Sequence, residues 1–242
     1  MKILKICSCV LVFVTHLAYG EVDVMGVKVF STLEELVDPD RAVVCVIDMQ
    51  NEYISTQGGL GRDNKEAEPD PEKHQIRSEN AEQVTALQSL LKAAREAGVT
   101  VVYMERIHED VRGEKLVTGA ELYQHVGAEY VSHIKAGSWA SKTIAEIAPQ
   151  EGDMIFQHAR DNALHGLPFD HILRSLEKEC LILAGREASA AIFRTSVGCY
   201  CRGIYPICVR DAIEPDEVWF KRLEVSFPVY NVDEVIGVWE GK

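Results

Sequence analysis

The stretch Ala42–Ile47 reads AVVCVI, and Asp48 follows it at once. A continuous apolar run of this length, rich in β-branched residues, predicts a strand that is buried on both faces. Strands of that kind belong to parallel sheets that are covered by helices on both sides. The run therefore predicts an α/β fold in which Asp48 lies at the carboxyl end of a strand.

Further apolar runs alternate with amphipathic segments along the chain. Strands are predicted at residues 99–104, 153–157, 181–184 and 205–209, and helices at 80–97, 141–147, 168–177 and 189–202. Two stretches are predicted to lack such order: a polar loop at 51–73 and a long, irregular insertion at 105–140. The alternation predicts one three-layer α/β domain over residues 21–242, with a mostly parallel sheet of about six strands and helices on both faces.

Composition excludes several classes of protein. Of the 242 residues, 47% are hydrophobic, which is enough for one large core and excludes a disordered chain. The net charge of −13 argues against nucleic acid as a partner. No apolar run reaches 18 residues, so no membrane-spanning helix is expected.

Residues 1–20 read MKILKICSCVLVFVTHLAYG, which is typical of a secretory signal. Two lysines precede a short apolar stretch, and Ala18 and Gly20 are the small residues expected before a cleavage site. The alternative is a buried amino-terminal strand or helix. Cleavage predicts a secreted or periplasmic protein, whereas a chain that retains these residues would be cytoplasmic.

The cysteines do not predict a disulfide framework. Five of the seven lie beyond residue 20, an odd number for an exported protein. Three of them, Cys45, Cys180 and Cys208, lie in or beside predicted strands, where cysteine behaves as a small hydrophobe.

Polar side chains follow three of the predicted strands. Asp48 and Gln50 follow the first, His158 and Arg160 follow the strand at 153–157, and the strand at 181–184 leads through Gly185 into a helix. Because ligands bind outside the carboxyl ends of parallel strands, these residues are expected to share one site. The start of the helix offers free N–H groups for an anion or oxyanion.

Three motifs at these strand ends resemble those of the isochorismatase-like cysteine hydrolases. They read IDMQNEY at 47–53, HARDNALHGLPFDHIL at 158–173 and LILAGREASAAIFRTS at 181–196. The second and third are most similar to the N-carbamoylsarcosine amidohydrolase branch, and the resemblance extends over residues 40 to 230. It implies an Asp–Lys–Cys triad that attacks an amide or imine-like carbon through a thiolate, and it implies a homo-oligomer.

Two of the three triad positions depart from that pattern. Asp48 matches the aspartate, but the lysine position holds His158 and the cysteine position holds Ala191. The resemblance implies that backbone N–H groups at Ala190 and Ala191 hold the oxyanion, and Gln50 and Arg160 are expected to contact the substrate. Engineering of the nucleophile would explain Ala191 but not His158, which favours natural loss.

Two functions remain open on the sequence alone. The chain could be a degenerate member that binds a small molecule without thiol chemistry. Alternatively, Asp48 and His158 could activate water and hydrolyse a small amide, carbamoyl or isochorismate-like substrate. Ser189 could replace the nucleophile, although capping of the following helix is the more ordinary role of a serine there.

Neither a metal nor a cofactor is expected. The histidines lack the Asp-x-His spacing of zinc-binding relatives, and the glycines at 58, 59 and 61 do not form a phosphate-binding pattern.

The leader gives a direct prediction. Mass spectrometry of the protein from its native source should find a chain that begins at Glu21, because Ala18 and Gly20 suit the cleavage enzyme. A chain that still carried Met1 or Lys2 would contradict the prediction.

Overall fold

The structure is a computed structural model that describes residues 22–24, 27–59, 68–108 and 134–241. The predicted leader at 1–20 and residues 109–133 of the predicted insertion lie outside the described residues. The chain divides into two compact units, Met1–Thr32 and Leu33–Lys242. In the first unit, β1 (Val22–Val24) and β2 (Val27–Val29) form an antiparallel hairpin.

The second unit contains a six-stranded sheet in which every pair of neighbouring strands is parallel. This confirms the predicted α/β fold. The strand order is β5-β4-β3-β6-β7-β8, and the strands are β3 (Ala42–Ile47), β4 (Thr100–Arg106), β5 (Met154–His158), β6 (Cys180–Gly185), β7 (Tyr205–Ile213) and β8 (Val229–Tyr230).

Helices cover both faces of the sheet. They are α1 (Leu33–Leu36), α2 (Asn51–Ile54), α3 (Ala81–Glu96), α4 (Phe169–Ser175), α5 (Phe193–Tyr200), α6 (Glu217–Ser226) and α7 (Val232–Trp239). Cys45 and Ile47 lie in an apolar core with residues of α4, α5 and α6. The crossover through α3 leads from β3 to β4, and the crossover through α5 leads from β6 to β7 in the opposite direction along the sheet. Because both connections are right-handed, α3 lies on the face opposite α5, where it packs with α7.

Several local predictions were wrong. The helix predicted at 141–147 is only a 3₁₀ turn, Ala145–Ile147, because the Thr143 backbone and hydroxyl donate to the Glu105 carboxylate instead. The predicted loop at 51–73 begins with the short helix α2 and includes a 3₁₀ turn, Pro71–Lys73. The helix predicted at 189–202 starts as a π-helical turn, Ala188–Ile192.

The sheet has its topological switch point between β3 and β6. After β3 the chain continues to β4 on one side of this point, and after β6 it continues to β7 on the other side. The two connections diverge, which opens a crevice at the carboxyl ends of β3 and β6. Asp48 and the π-helical turn lie at this crevice. None of the helices in the described ranges is long and apolar enough to cross a membrane.

Gly185 allows β3 and β6 to approach closely beside the crevice. Its φ is +115°, and a Cβ at this position would lie 2.1 Å from the Ile47 carbonyl oxygen. Gln83 of α3 also holds the Gly185 backbone in place, because its Nε2 donates to the Gly185 carbonyl at 2.7 Å.

We expect Gly185→Ala to lower the free energy of unfolding by about 3 kcal/mol, because both the backbone conformation and the strand contact oppose a side chain. Gly237→Ala is the matched control. Gly237 lies in α7 with no heavy atom within 4 Å of an added Cβ, so that change should stabilise by about 0.5–1 kcal/mol. Urea unfolding measures both, and an equal response of the two variants would contradict the packing described for Gly185.

Candidate active site

Asp48 lies directly after β3 with a φ of +55°, in the left-handed region that aspartate tolerates better than most residues. Its backbone N–H donates to the Met104 carbonyl of the neighbouring strand at 3.0 Å. The side chain is only 5% exposed. A carboxylate buried to this degree requires fixed partners for its charge.

The first partner is His158, at the end of β5, whose side chain is fully buried. Its Nε2 lies 2.8 Å from Asp48 Oδ1, and its Nδ1 lies 2.8 Å from the Arg160 carbonyl oxygen. Carbonyl and carboxylate oxygens only accept hydrogen bonds. Each ring nitrogen therefore faces an acceptor, and the two contacts fix the orientation of the imidazole beside Asp48.

The second partner is Arg106, at the end of β4. Its Nε and Nη2 each lie 2.9 Å from Asp48 Oδ2, and its Nη1 donates to Asp161 Oδ1 at 2.9 Å. The other oxygen of Asp161 lies 3.0 Å from Nη1 of Arg194. These five residues, which we call the Asp48 charge cluster, lead from a fully buried histidine to an arginine that is 47% exposed.

The charge cluster makes Asp48 a weak base. Burial by itself raises the pKa of Asp48, but the charges of Arg106 and His158 and their hydrogen bonds more than offset it and lower the pKa to about 2. Burial by itself lowers the pKa of Arg106, yet the Asp48 charge holds it above its ordinary value. Asp48 consequently has little tendency to take a proton at neutral pH.

Gln50 is buried, and its amide holds the end of β4 in place. Its Oε1 accepts from the Arg106 backbone N–H at 2.8 Å, and its Nε2 donates to the Arg106 and Ser141 carbonyls at 2.8 and 2.6 Å. Gln50 therefore positions the Arg106 backbone, and its contact with a substrate stays a prediction.

Arg160 differs from Gln50, whose side-chain amide is fully hydrogen-bonded. Its carbonyl orients His158, while its Nη1 is a buried atom with no hydrogen-bond partner among the described residues. A buried donor without a partner is costly. Contact of Arg160 with a ligand stays a prediction.

Ala191, the predicted nucleophile position, lies in the π-helical turn after β6. Ala191 is 1% exposed and belongs to the apolar core, and the Ala190 N–H donates to the Glu187 carbonyl at 3.1 Å. The Ser189 hydroxyl donates to the Glu187 carboxylate and does not cap the turn. The Ala190 N–H is therefore engaged within the turn.

The five cysteines of the described residues are all free thiols. Burial raises the pKa of Cys208 to about 11 and that of Cys180 to about 12, and it raises the pKa of Cys45 and Cys199 as well. Such thiols are inert at neutral pH. Cys201 is exposed, but it follows α5, ten residues after Ala191.

The structure brings together Asp48, His158 and the Arg160 carbonyl as the strand-end rule predicts. The sequence reasoning missed Arg106, Asp161 and Arg194. The same rule could have found Arg106, because the apolar run of β4 ends just before it. Within the described part of the chain, no group of three or more His, Cys, Asp or Glu side chains could hold a metal ion.

We expect the Asp48 carboxylate to contribute to stability in a pH-dependent way. Its pKa is lower in the folded protein than the value of about 3.9 in an unfolded chain, so a contribution of about 2 kcal/mol is present above about pH 4 and is lost as the pH falls toward 2. Asp48→Asn should lack this acid-dependent loss and should be destabilised by about 3 kcal/mol at pH 7, since it removes the charge that Arg106 and His158 share and leaves Arg106 with Asp161 alone.

Urea unfolding at stepped pH measures both effects, with the exposed Glu151→Gln as the control that keeps the wild-type acid dependence. An Asp48→Asn protein with the same acid dependence as the wild type would show that Asp48 is not the residue with the lowered pKa.

The sequence of this chain is similar to those of known proteins. A family model described as "Isochorismatase domain" matches residues 42–215. The ureidoacrylate amidohydrolase RutB of Klebsiella pneumoniae (strain 342) is 25% identical over 186 residues, which cover 72% of this chain and 73% of that protein.

Solved structures show the same fold. A cysteine hydrolase from Pseudomonas syringae pv. phaseolicola 1448A superposes with a TM-score of 0.68 at 24% identity, over 85% of this chain and 95% of that one. The N-carbamoylsarcosine amidase from Thermoplasma acidophilum gives a TM-score of 0.61 at 21% identity, over 80% and 97%. Because the family model covers more than half of the sequence, this chain belongs to the isochorismatase family.

Proposed function

We propose that this chain is a member of the isochorismatase family that binds a small molecule and does not carry out thiol-dependent C–N hydrolysis. The observation that carries the proposal is Ala191, a buried residue that the sequence motifs align with the family's nucleophilic cysteine. A covalent route needs an atom that attacks, and a methyl group has none.

The other thiols do not supply a replacement. Cys45, Cys180, Cys199 and Cys208 are buried with raised pKa values, so they are protonated at neutral pH. The hydroxyl of Ser189 contacts only an exposed carboxylate, that of Glu187. These environments support the absence of a covalent mechanism.

Hydrolysis by activated water is less favoured by the geometry. A general base needs a lone pair within reach of the water. Both nitrogens of His158 are engaged, and Asp48 is held ionised by Arg106 and His158 with a pKa of about 2. The contact between Asp48 and His158 therefore supports a structural ion pair.

Features that suit a bound ligand are nevertheless retained. The crevice at the switch point is the usual ligand position in such sheets, and Arg160, which follows β5, keeps a buried N–H without a partner among the described residues. Relatives named for ureidoacrylate and N-carbamoylsarcosine support a small ligand with an amide or carbamoyl group.

The sequence supports two further parts of the proposal. The leader-like residues 1–20 favour action outside the cytoplasm, and the resemblance to the family favours a homo-oligomer.

We expect the unmodified protein to show no turnover that iodoacetamide abolishes, because it has no activated thiol. Ala191→Cys combined with His158→Lys should recover some activity, while either single change recovers little, since residues of one catalytic unit act non-additively. The double variant should exceed each single variant by on the order of 10²-fold. The assay uses N-carbamoyl amino acids, nicotinamide, maleamate and isochorismate, with and without iodoacetamide.

Ala190→Cys with His158→Lys is the matched control, because it places a thiol one residue away from the family's position. Iodoacetamide-sensitive turnover by the unmodified protein would contradict the proposal. Iodoacetamide-resistant turnover that His158→Ala abolishes would favour the water-activating hydrolase instead.

A further inference from the structure

The guanidinium of Arg160 lacks a partner. Arg160 follows β5 at the carboxyl edge of the sheet, and its backbone carbonyl contacts Nδ1 of His158. Its Nη1 is buried and has no hydrogen-bond partner among the described residues. The residue as a whole is only partly buried, so part of it stays open to solvent. One hydrogen-bond acceptor is therefore missing from the surroundings of this side chain.

The acids nearest to Arg160 are already engaged with other cations. Asp161, the next residue, accepts from Nη1 of Arg106 through Oδ1 at 2.9 Å, and its Oδ2 lies 3.0 Å from Nη1 of Arg194. Asp48 is likewise paired with Arg106. The two arginines and two aspartates of the Asp48 charge cluster thus balance each other, and its histidine can add only positive charge. Arg160 contributes one more positive charge, and no described carboxylate forms an ion pair with it.

The absence of a counter-charge at Arg160 stands out in a chain that has 38 acidic residues against 25 lysines and arginines. The side chain of every other arginine in the described ranges contacts a carboxylate, a backbone carbonyl or an aromatic ring. Water can complete the hydrogen bond of a buried N–H, but it cannot neutralise the charge of the guanidinium. A bound anion supplies both.

We propose that Arg160 binds a carboxylate group of the ligand. A carboxylate carries one negative charge, which matches the one charge left over, and its planar oxygens fit the fork of guanidinium N–H donors. His158 joins Arg160 to Asp48, which lies at the crevice, so the carboxylate belongs to the same site. The inference rests on the proposed function and deepens it. The ligand class becomes an amide or carbamoyl compound that also carries a carboxylate, such as an N-carbamoyl amino acid.

The test uses the full chain and two pairs of probes in which the members differ in charge but hardly in shape. Acetate should raise Tm in a saturable way, whereas acetamide and sodium chloride at the same concentrations should not, because only acetate offers a planar anion. N-carbamoylglycine should bind about 30-fold more tightly than N-carbamoylglycinamide, since the amide loses a charge-assisted hydrogen bond. Titration calorimetry measures the second pair.

Substitutions assign the preference to Arg160. Arg160→Gln removes the charge and should bind the two carbamoyl probes equally, within about twofold, while Arg160→Lys keeps the charge without the fork and should retain part of the preference. Arg174→Gln is the matched control. Arg174 lies on α4, which leads into the amino end of β6, and its Nε donates only to the Asp170 carbonyl. This control should keep the full preference, and an equal loss in Arg160→Gln and Arg174→Gln would contradict the inference.

The probes also decide on the unmodified protein, which covers the case in which Arg160→Gln does not fold. Equal affinities for N-carbamoylglycine and its amide, or no saturable response to acetate, would overturn the inference, because water alone would then complete the Arg160 side chain. Failure of the proposed function is a different result. Turnover that iodoacetamide abolishes would contradict that function and leave the preference for carboxylate probes unchanged, and a response to acetate without binding of either carbamoyl probe would contradict only the amide or carbamoyl part of the ligand.

Discussion

Asp48 is a carboxylate that is almost wholly removed from water, and its charge can persist only because two polar partners reach it. His158 approaches from the end of β5 and Arg106 from the end of β4, so one carboxylate ties three neighbouring strands together at the crevice. The low pKa of Asp48 follows from this arrangement. The same contacts that stabilise the strand ends lower the basicity of the Asp48 carboxylate.

The rest of the site is organised around this constraint. The Gln50 side chain hydrogen-bonds both the N–H and the carbonyl of the Arg106 backbone, which sets the direction of the guanidinium. The Arg160 carbonyl contacts the His158 ring, and within the described part of the chain its buried Nη1 has no hydrogen-bond partner. Ala191, which the sequence motifs align with the family's nucleophilic cysteine, is buried in the π-helical turn after β6. On the proposal made above, the site binds a ligand without covalent catalysis.

Much of this arrangement could be predicted from the sequence, because buried strands have a strong pattern. The run Ala42–Ile47 predicts the central strand, and the rule that strand ends share an edge brings Asp48 and His158 together. The role of Arg106 depends on rotamers and on two acids distant in sequence, which no periodicity encodes. The two-residue strand β8 is too short to show a pattern, and the segment at 141–147 was misassigned because its backbone bonds to Glu105 and not to itself.

A double-mutant cycle on Asp48 and Arg106 tests the central claim most directly. The free energy of unfolding at pH 7 is measured for the wild type, Asp48→Asn, Arg106→Gln and the combination. If the ion pair controls the site, the single changes should be strongly non-additive, with a coupling of about 2 kcal/mol. Additivity within about 0.5 kcal/mol would contradict the account, because it would mean that Asp48 does not depend on Arg106.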